Sequence, residues 1–290
     1  MRTPCPLILI CLLLLPATVF ADNATPAPDG IDLLYAPLAN SSISENLKVE
    51  LLDVTLNGES TYMTGTASAK VLVKFSELPP GSLPPPGSSA TVMTVTVSKM
   101  QSQAMGEQHT VAETEVIQVT VDDRGRVVGY QVKERLSNAD ASAIASADAL
   151  TALAIFAVLP RLPAEPVAPG SQWHWRQVVT FPEAGQATVD MQCRLIDISE
   201  EQIVIESSGQ VTMPEVQIPN PFAPSGTMKA TNLKVTISRL RQVCQPGALV
   251  VSQAQCEAMA TFVGVQPDYT LPLGAKFKFS VRPVPPPAPE

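Results

Sequence analysis

The two histidines, His109 and His174, are the first side chains to test for chemistry, because imidazole is the group that titrates near neutral pH without help from its surroundings. They lie in separate stretches of the chain, and no Gly-x-Ser-x-Gly elbow accompanies either, so a Ser-His nucleophile pair has no visible components. His174 stands between Trp173 and Trp175 and reads as a surface residue of a strand. The nearest acidic pair, Asp122 and Asp123, runs into Arg124 and Gly125, where short carboxylates suit a hairpin turn better than a cation. Cys193, Cys244 and Cys256 lack the paired spacing of a zinc site. No Gly-rich loop stands before a helix to cradle phosphate. Two carboxylates brought together from distant strands, as in glycosidases, would leave no local trace, but few Asp or Glu residues look buried. The expectation is a non-catalytic protein with no metal and no cofactor.

The elements that would position any site begin after a leader. Arg2, the apolar run Leu7–Leu15, Pro16 and the stretch Ala17–Ala21 follow the order of a secretory signal peptide, with cleavage expected after Ala21. The run is shorter than the roughly 20 residues a membrane-spanning helix needs, so no transmembrane span is expected in the mature chain. Cys11 sits among bulky residues, unlike a lipoprotein cysteine, and leaves with the leader. The chain is therefore expected to be exported, to a periplasm or the extracellular space. Its formal charge is −8. That balance disfavours polyanions such as nucleic acid, and no basic patch for phosphate contacts is expected. Three cysteines in an oxidising compartment permit one disulfide, but a tight turn at Pro246-Gly247 would set Cys256 opposite Ile237 rather than beside Cys244.

Residues 22–44 are rich in Ala, Pro, Asn and Ser and read as a flexible N-terminal arm, and 283–290 as a proline-rich tail. Between them, 45–282 forms a β-rich domain. Apolar residues recur there with period two, and strands are expected near 46–56, 60–75, 90–103, 109–121, 126–136, 172–181, 187–198, 202–212, 229–243, 248–262 and 275–282. Asp122–Gly125 and Gln245–Ala248 carry hairpin turn chemistry, so neighbouring strands should run antiparallel. One helix is expected near 139–158, entered at Asn138 or Asp140 and stopped by Pro160 and Pro163. Pro/Gly-rich connections at Leu78–Gly87 and Pro214–Gly226 precede similar strand orders, which would suit two similar halves, 45–137 and 170–282, joined by the helix. The fold class expected is mainly β: an antiparallel meander forming a curved sheet or half-barrel with one covering helix.

The stretch from Leu159-Pro160 through Pro166-Val167 and Gly170 to Trp173 resembles a signature of uncharacterised bacterial secreted β-rich proteins, a domain of unknown function. The resemblance covers about 138–259. It implies a half-barrel similar in spirit to periplasmic lipoprotein carriers, and no catalytic residues.

Trp173 and Trp175 share one face of a strand, and Leu153 and Phe156 lie in the apolar half of the helix; these four are the expected ligand-facing or core residues. A curved sheet with an apolar face and a lid points to an apolar small molecule or lipid as ligand. The alternative is a structural or protein-interaction module with a packed core, meeting an envelope protein through its proline-rich segments.

Overall fold

A computed structural model describes residues 17–19, 30–78, 89–104, 107–111, 114–134, 141–181, 185–219, 227–266 and 268–284. In chain order the elements are β1 (Ala17–Val19), β2 (Ser42–Leu56), β3 (Glu59–Ser60), β4 (Gly65–Ser76), β5 (Ala90–Ala104), β6 (Glu107–Val111), β7 (Glu115–Asp122), β8 (Val127–Glu134), α1 (Ala141–Val158), β9 (Gln172–Phe181), β10 (Gly185–Ile198), β11 (Ile203–Pro219), β12 (Thr227–Cys244), β13 (Val251–Gln266) and β14 (Tyr269–Pro283). All the strands join one antiparallel sheet in the order β1-β9-β10-β11-β12-β13-β14-β2-β4-β5-β7-β8, with β3 on β2 and β6 on β5.

The strands form because apolar side chains alternate with polar ones, and the alternation sorts them by face. Along β10, Ala187, Val189, Met191, Cys193 and Leu195 are buried, while Gln192 and Arg194 are exposed. One continuous core results, and it includes residues from both halves of the chain. The halves meet where β14 pairs with β2, in a register running from Leu273 opposite Leu56 to Pro283 opposite Glu45.

This strand order explains the position of the helix. Chain leaving β8, at one end of the sheet, must reach β9, which lies next to β1 at the other, and α1 makes that crossing over the apolar face. It lies against β13, β5, β11, β14, β4 and β7. Ala254, Ala258 and Ala260 of β13 are buried, and their small side chains let the helix come close. The sheet does not close by backbone pairing between β8 and β9. Its ends nonetheless approach each other, since the Gln177 side chain of β9 donates to the Val127 carbonyl of β8 at 2.9 Å. An open sheet whose edges come within one side chain is strongly curved.

Several expectations need correction. The strand expected at 109–121 is two, β6 and β7, both pairing with β5. The strand expected to end near 212 runs on through Pro214 to Pro219. Proline has no N–H for the ladder, but Met213 pairs with Leu233 and Glu215 with Thr231, so Pro214 falls opposite Asn232, whose φ of 53° marks an irregularity in β12. The described part of the expected flexible arm is held in place: Ile31 bridges Val167, the Tyr35 N–H donates to Asp123 O at 2.8 Å, and Leu33 and Tyr35 are buried. From Ser42 onward it is already β2. Cys256 lies opposite Leu240 rather than Ile237, because the connection between β12 and β13 is wider than a tight turn. The expected cleavage site, Ala21, falls outside the described residues, as do 285–290 of the tail.

Candidate functional site

The four residues singled out from the sequence are all buried, and three of them gather around one arginine. α1 ends at Val158, and the chain turns through Leu159-Pro160 so that Arg161 points back under the last helical turn. Its guanidinium donates to Phe156 O at 3.1 Å, to Leu159 O at 3.2 Å and to Gln242 Oε1 at 3.4 Å. It also sits 3.9 Å from the centre of the Phe156 ring and 5.6 Å from that of Trp175. The Trp173 indole N–H donates to the Arg161 carbonyl at 3.1 Å. Gln242 of β12 completes the knot by donating to Ala157 O at 2.8 Å and Leu159 O at 2.9 Å.

Carbonyls freed at a helix C-terminus need donors, and a cation there is favoured by the helix dipole. Arg161 supplies both. Burial lowers its pKa to about 10, which still leaves it cationic at neutral pH. Leu153, the fourth residue, is buried one turn earlier in the same core. Midway along α1, Thr151 donates to Glu115 Oε2 of β7 at 2.5 Å, a second polar tie between helix and sheet.

A second buried acid is treated differently. Glu45 of β2 faces the core, is 1 % exposed, and neither of its oxygens has a hydrogen-bond partner. Burial raises its pKa to about 8. Tyr35 packs edge-on against Phe75, its hydroxyl is likewise without a partner, and desolvation raises its pKa.

The other candidates resolve simply. His174 is half-exposed and lies 2.7 Å from Asp190 on β10, as a surface strand residue would. The His109 side chain is outside the described set. Asp122 Oδ1 accepts the N–H groups of Arg124 and Arg126 at 2.9 and 2.8 Å, which fixes the β7–β8 turn. Cys193, Cys244 and Cys256 are buried free thiols, and desolvation pushes Cys244 and Cys256 up to about 12. Among the described residues no group of three or more His, Cys, Asp or Glu side chains could hold a metal ion. No helix among them is long and apolar enough to cross a membrane.

The outer face of the sheet carries what the sequence reading missed. Eleven of the 19 Lys and Arg residues project from β12, β14, β2, β4 and β5: Lys229, Lys234, Arg239, Arg241, Lys276, Lys278, Arg282, Lys48, Lys70, Lys74 and Lys99. On these strands and β13 between them, the outward carboxylates are Glu50, Asp53 and Glu257. Some of the charge is paired locally, as in Lys48–Glu50 at 2.5 Å, Lys278–Glu257 at 2.9 Å and Arg239–Glu206. A groove of about 650 Å³ runs over Lys48, Arg239, Arg241, Lys278 and Arg282, with Glu50 and Glu257 also in its lining, and one of about 460 Å³ over Lys48, Lys70, Lys99, Gln101, Gln103 and Gln108. No single segment is basic; alternation and strand order collect the cations on one side. The expectation that the chain offers no basic patch is therefore corrected.

Compared with protein-family models and with curated proteins, the chain matches none.

Proposed function

We propose that this is an exported, non-catalytic envelope protein whose curved sheet and covering helix take up an apolar or lipid-like ligand. The observation that carries the reading is the relation of α1 to the sheet. The C-terminal half of the helix, from Leu150 to Val158, is apolar except for Thr151, and it lies in the hollow of a sheet that is not closed. A helix apolar on every side belongs wholly inside a core. Here it occupies the space an apolar chain would take, and it is tied to the sheet by a few polar contacts: Arg161 and Gln242 at its exit, Thr151 to Glu115 near its middle. The outer edge of β9 pairs with β1, which belongs to the expected leader; with the leader removed, the seam between β8 and β9, bridged by Gln177, is a side of the hollow that no backbone ladder seals. Export rests on the leader sequence, and the absence of catalysis on the missing motifs.

The test is organic extraction and native mass spectrometry of protein purified from its own host, followed by titration with a fluorescent fatty acid. A co-purifying lipid and saturable uptake are expected. A clean apo mass together with no uptake would overturn the reading.

A packed interaction module is the second reading, favoured by one observation. Ala154, Ile155 and Ala157 are at most 1 % exposed, and Phe156 meets Phe279 edge-on at 6.3 Å, so this part of the helix already fills its surroundings. Under that reading the fatty-acid titration stays flat while a stable protein partner co-purifies.

A further inference from the structure

We propose that the basic outer face of the sheet is a docking surface for a membrane carrying anionic phospholipid. This goes beyond the ligand-carrier reading and does not depend on it, since the face lies on the other side of the sheet from the helix. The chain as a whole has a charge of −8, so a face this rich in cations is a local reversal of the protein's own field.

The charges are also available. Lys70, Lys74, Lys99, Lys234, Lys276 and Arg282 have no ion-pair partner among the described residues and stand exposed on β4, β5, β12 and β14. Arg282 and Lys70 both lie opposite Asn46, so free cations flank β2 on both sides. The smaller groove, over Lys48, Lys70 and Lys99, has no carboxylate in its lining and adds the amides of Gln101, Gln103 and Gln108. Cationic point charges with neutral hydrogen-bonding groups beside them suit phosphate-bearing head groups.

Lys99 reaches this groove through a bulge. Between Ser68 and Lys70 the register of β4 on β5 shifts, Lys99 takes a φ of 51°, and Val97 and Met100 both remain buried. Without the extra residue, alternation would turn Lys99 into the core. Bulges of this kind re-aim a side chain.

The breadth of the face favours a surface over a single small anion, and its chemistry favours lipid over nucleic acid. Most of these cations are lysines, which act as compact point charges rather than as bidentate clamps. No exposed aromatic ring lines either groove to stack a base. Met259, 48 % exposed and opposite Lys276, adds an apolar contact among the charges.

The experiment is co-sedimentation of the full chain with phosphatidylcholine vesicles, with and without phosphatidylglycerol. Binding is expected only to the anionic vesicles, and it should vanish near about 1 M salt, where the Debye length is about 3 Å. Each cation near an anionic surface contributes about a fivefold change in partition, so Lys70→Gln with Lys99→Asn should weaken binding about 25-fold. Asparagine tolerates the left-handed backbone at 99, so the bulge is kept. Lys133→Gln, on β8 at the edge of the sheet two strands beyond β5, should weaken binding far less than the double substitution. Circular dichroism of each variant confirms that it folds. Equal binding to both vesicle types, no binding to either, or indifference to the double substitution would overturn the proposal. So would an oligonucleotide that displaces the protein from vesicles at lower concentration than soluble glycerol phosphate does. Fatty-acid uptake is read separately, so failure here leaves the carrier reading standing, and the reverse holds too.

Discussion

Arg161 and Glu45 are both ionisable side chains turned into the apolar side of the same sheet, and the protein handles them in opposite ways. Arg161 keeps its charge: helix-end carbonyls, the Gln242 side chain and two aromatic rings surround it. Glu45 has no partner for either oxygen, and burial holds it protonated through neutral pH. The difference shows two routes by which a titratable group enters a core, one through hydrogen bonds from both terminal guanidinium nitrogens, although Arg161 Nε has no partner, and one through loss of charge. The first ties elements together and the second only tolerates a misplaced acid. Arg161 should therefore behave as a structural clasp and Glu45 as a pH-dependent weakness.

The largest effect is expected from Arg161→Ala. It leaves Phe156 O and Gln242 Oε1 without a buried donor, and it empties the space between two rings. Each stranded acceptor costs about 1–3 kcal/mol, so a total loss near about 5 kcal/mol is expected in urea denaturation. Arg161→Lys should recover little, because an ammonium cannot span three acceptors as the planar fork does. A loss below about 1 kcal/mol for Arg161→Ala would show that the contacts are incidental to the fold.

Of comparable size is the response to pH at Glu45. Its folded pKa of about 8 lies above the ordinary 4.5. Below about 4.5 both the folded and the unfolded chain hold the proton, and no penalty exists. As pH rises from about 4.5 to about 8 the unfolded chain releases its proton while the folded chain retains it, so native stability falls. Above the folded pKa the loss levels off. The difference amounts to about 5 kcal/mol across that window. Glu45→Gln should flatten this part of the stability curve; a variant with the same slope as the parent would place the titration elsewhere.

Much of this architecture is visible along the chain, and little of the lateral arrangement is. The rhythm Val189, Met191, Cys193, Leu195 marks β10 directly, and Asp122–Gly125 marks the β7–β8 hairpin, because both signals are local. The docking of Tyr35 on Asp123 is not local, nor is the meeting of Arg161 with Gln242, whose positions depend on strand order. The basic face depends on it too: Lys70 and Arg282 adjoin the same residue of β2 only because β14 pairs with β2. Pro214 misled for a different reason, since a proline in a strand is tolerated where the opposite residue, Asn232, leaves the ladder. Of the four expected site residues, Trp173, Trp175 and Phe156 do come together, but around an arginine whose burial no period-two pattern predicts.

The smallest of these effects tests whether the clasp acts as one unit. Gln242→Ala removes the donor to Ala157 O and Leu159 O, but Arg161 still reaches Leu159 O and Phe156 O, so about 2 kcal/mol is expected. If Arg161 and Gln242 support each other, the double variant should cost less than the sum of the single ones, by about 1 kcal/mol. The two tryptophans flank this knot and report on it by fluorescence, which separates local loosening from global unfolding. Strict additivity would mean that each side chain caps its own carbonyls independently, and the contrast with Glu45 would then lie in satisfied hydrogen bonds alone rather than in a network joining helix, sheet and the chain after the helix.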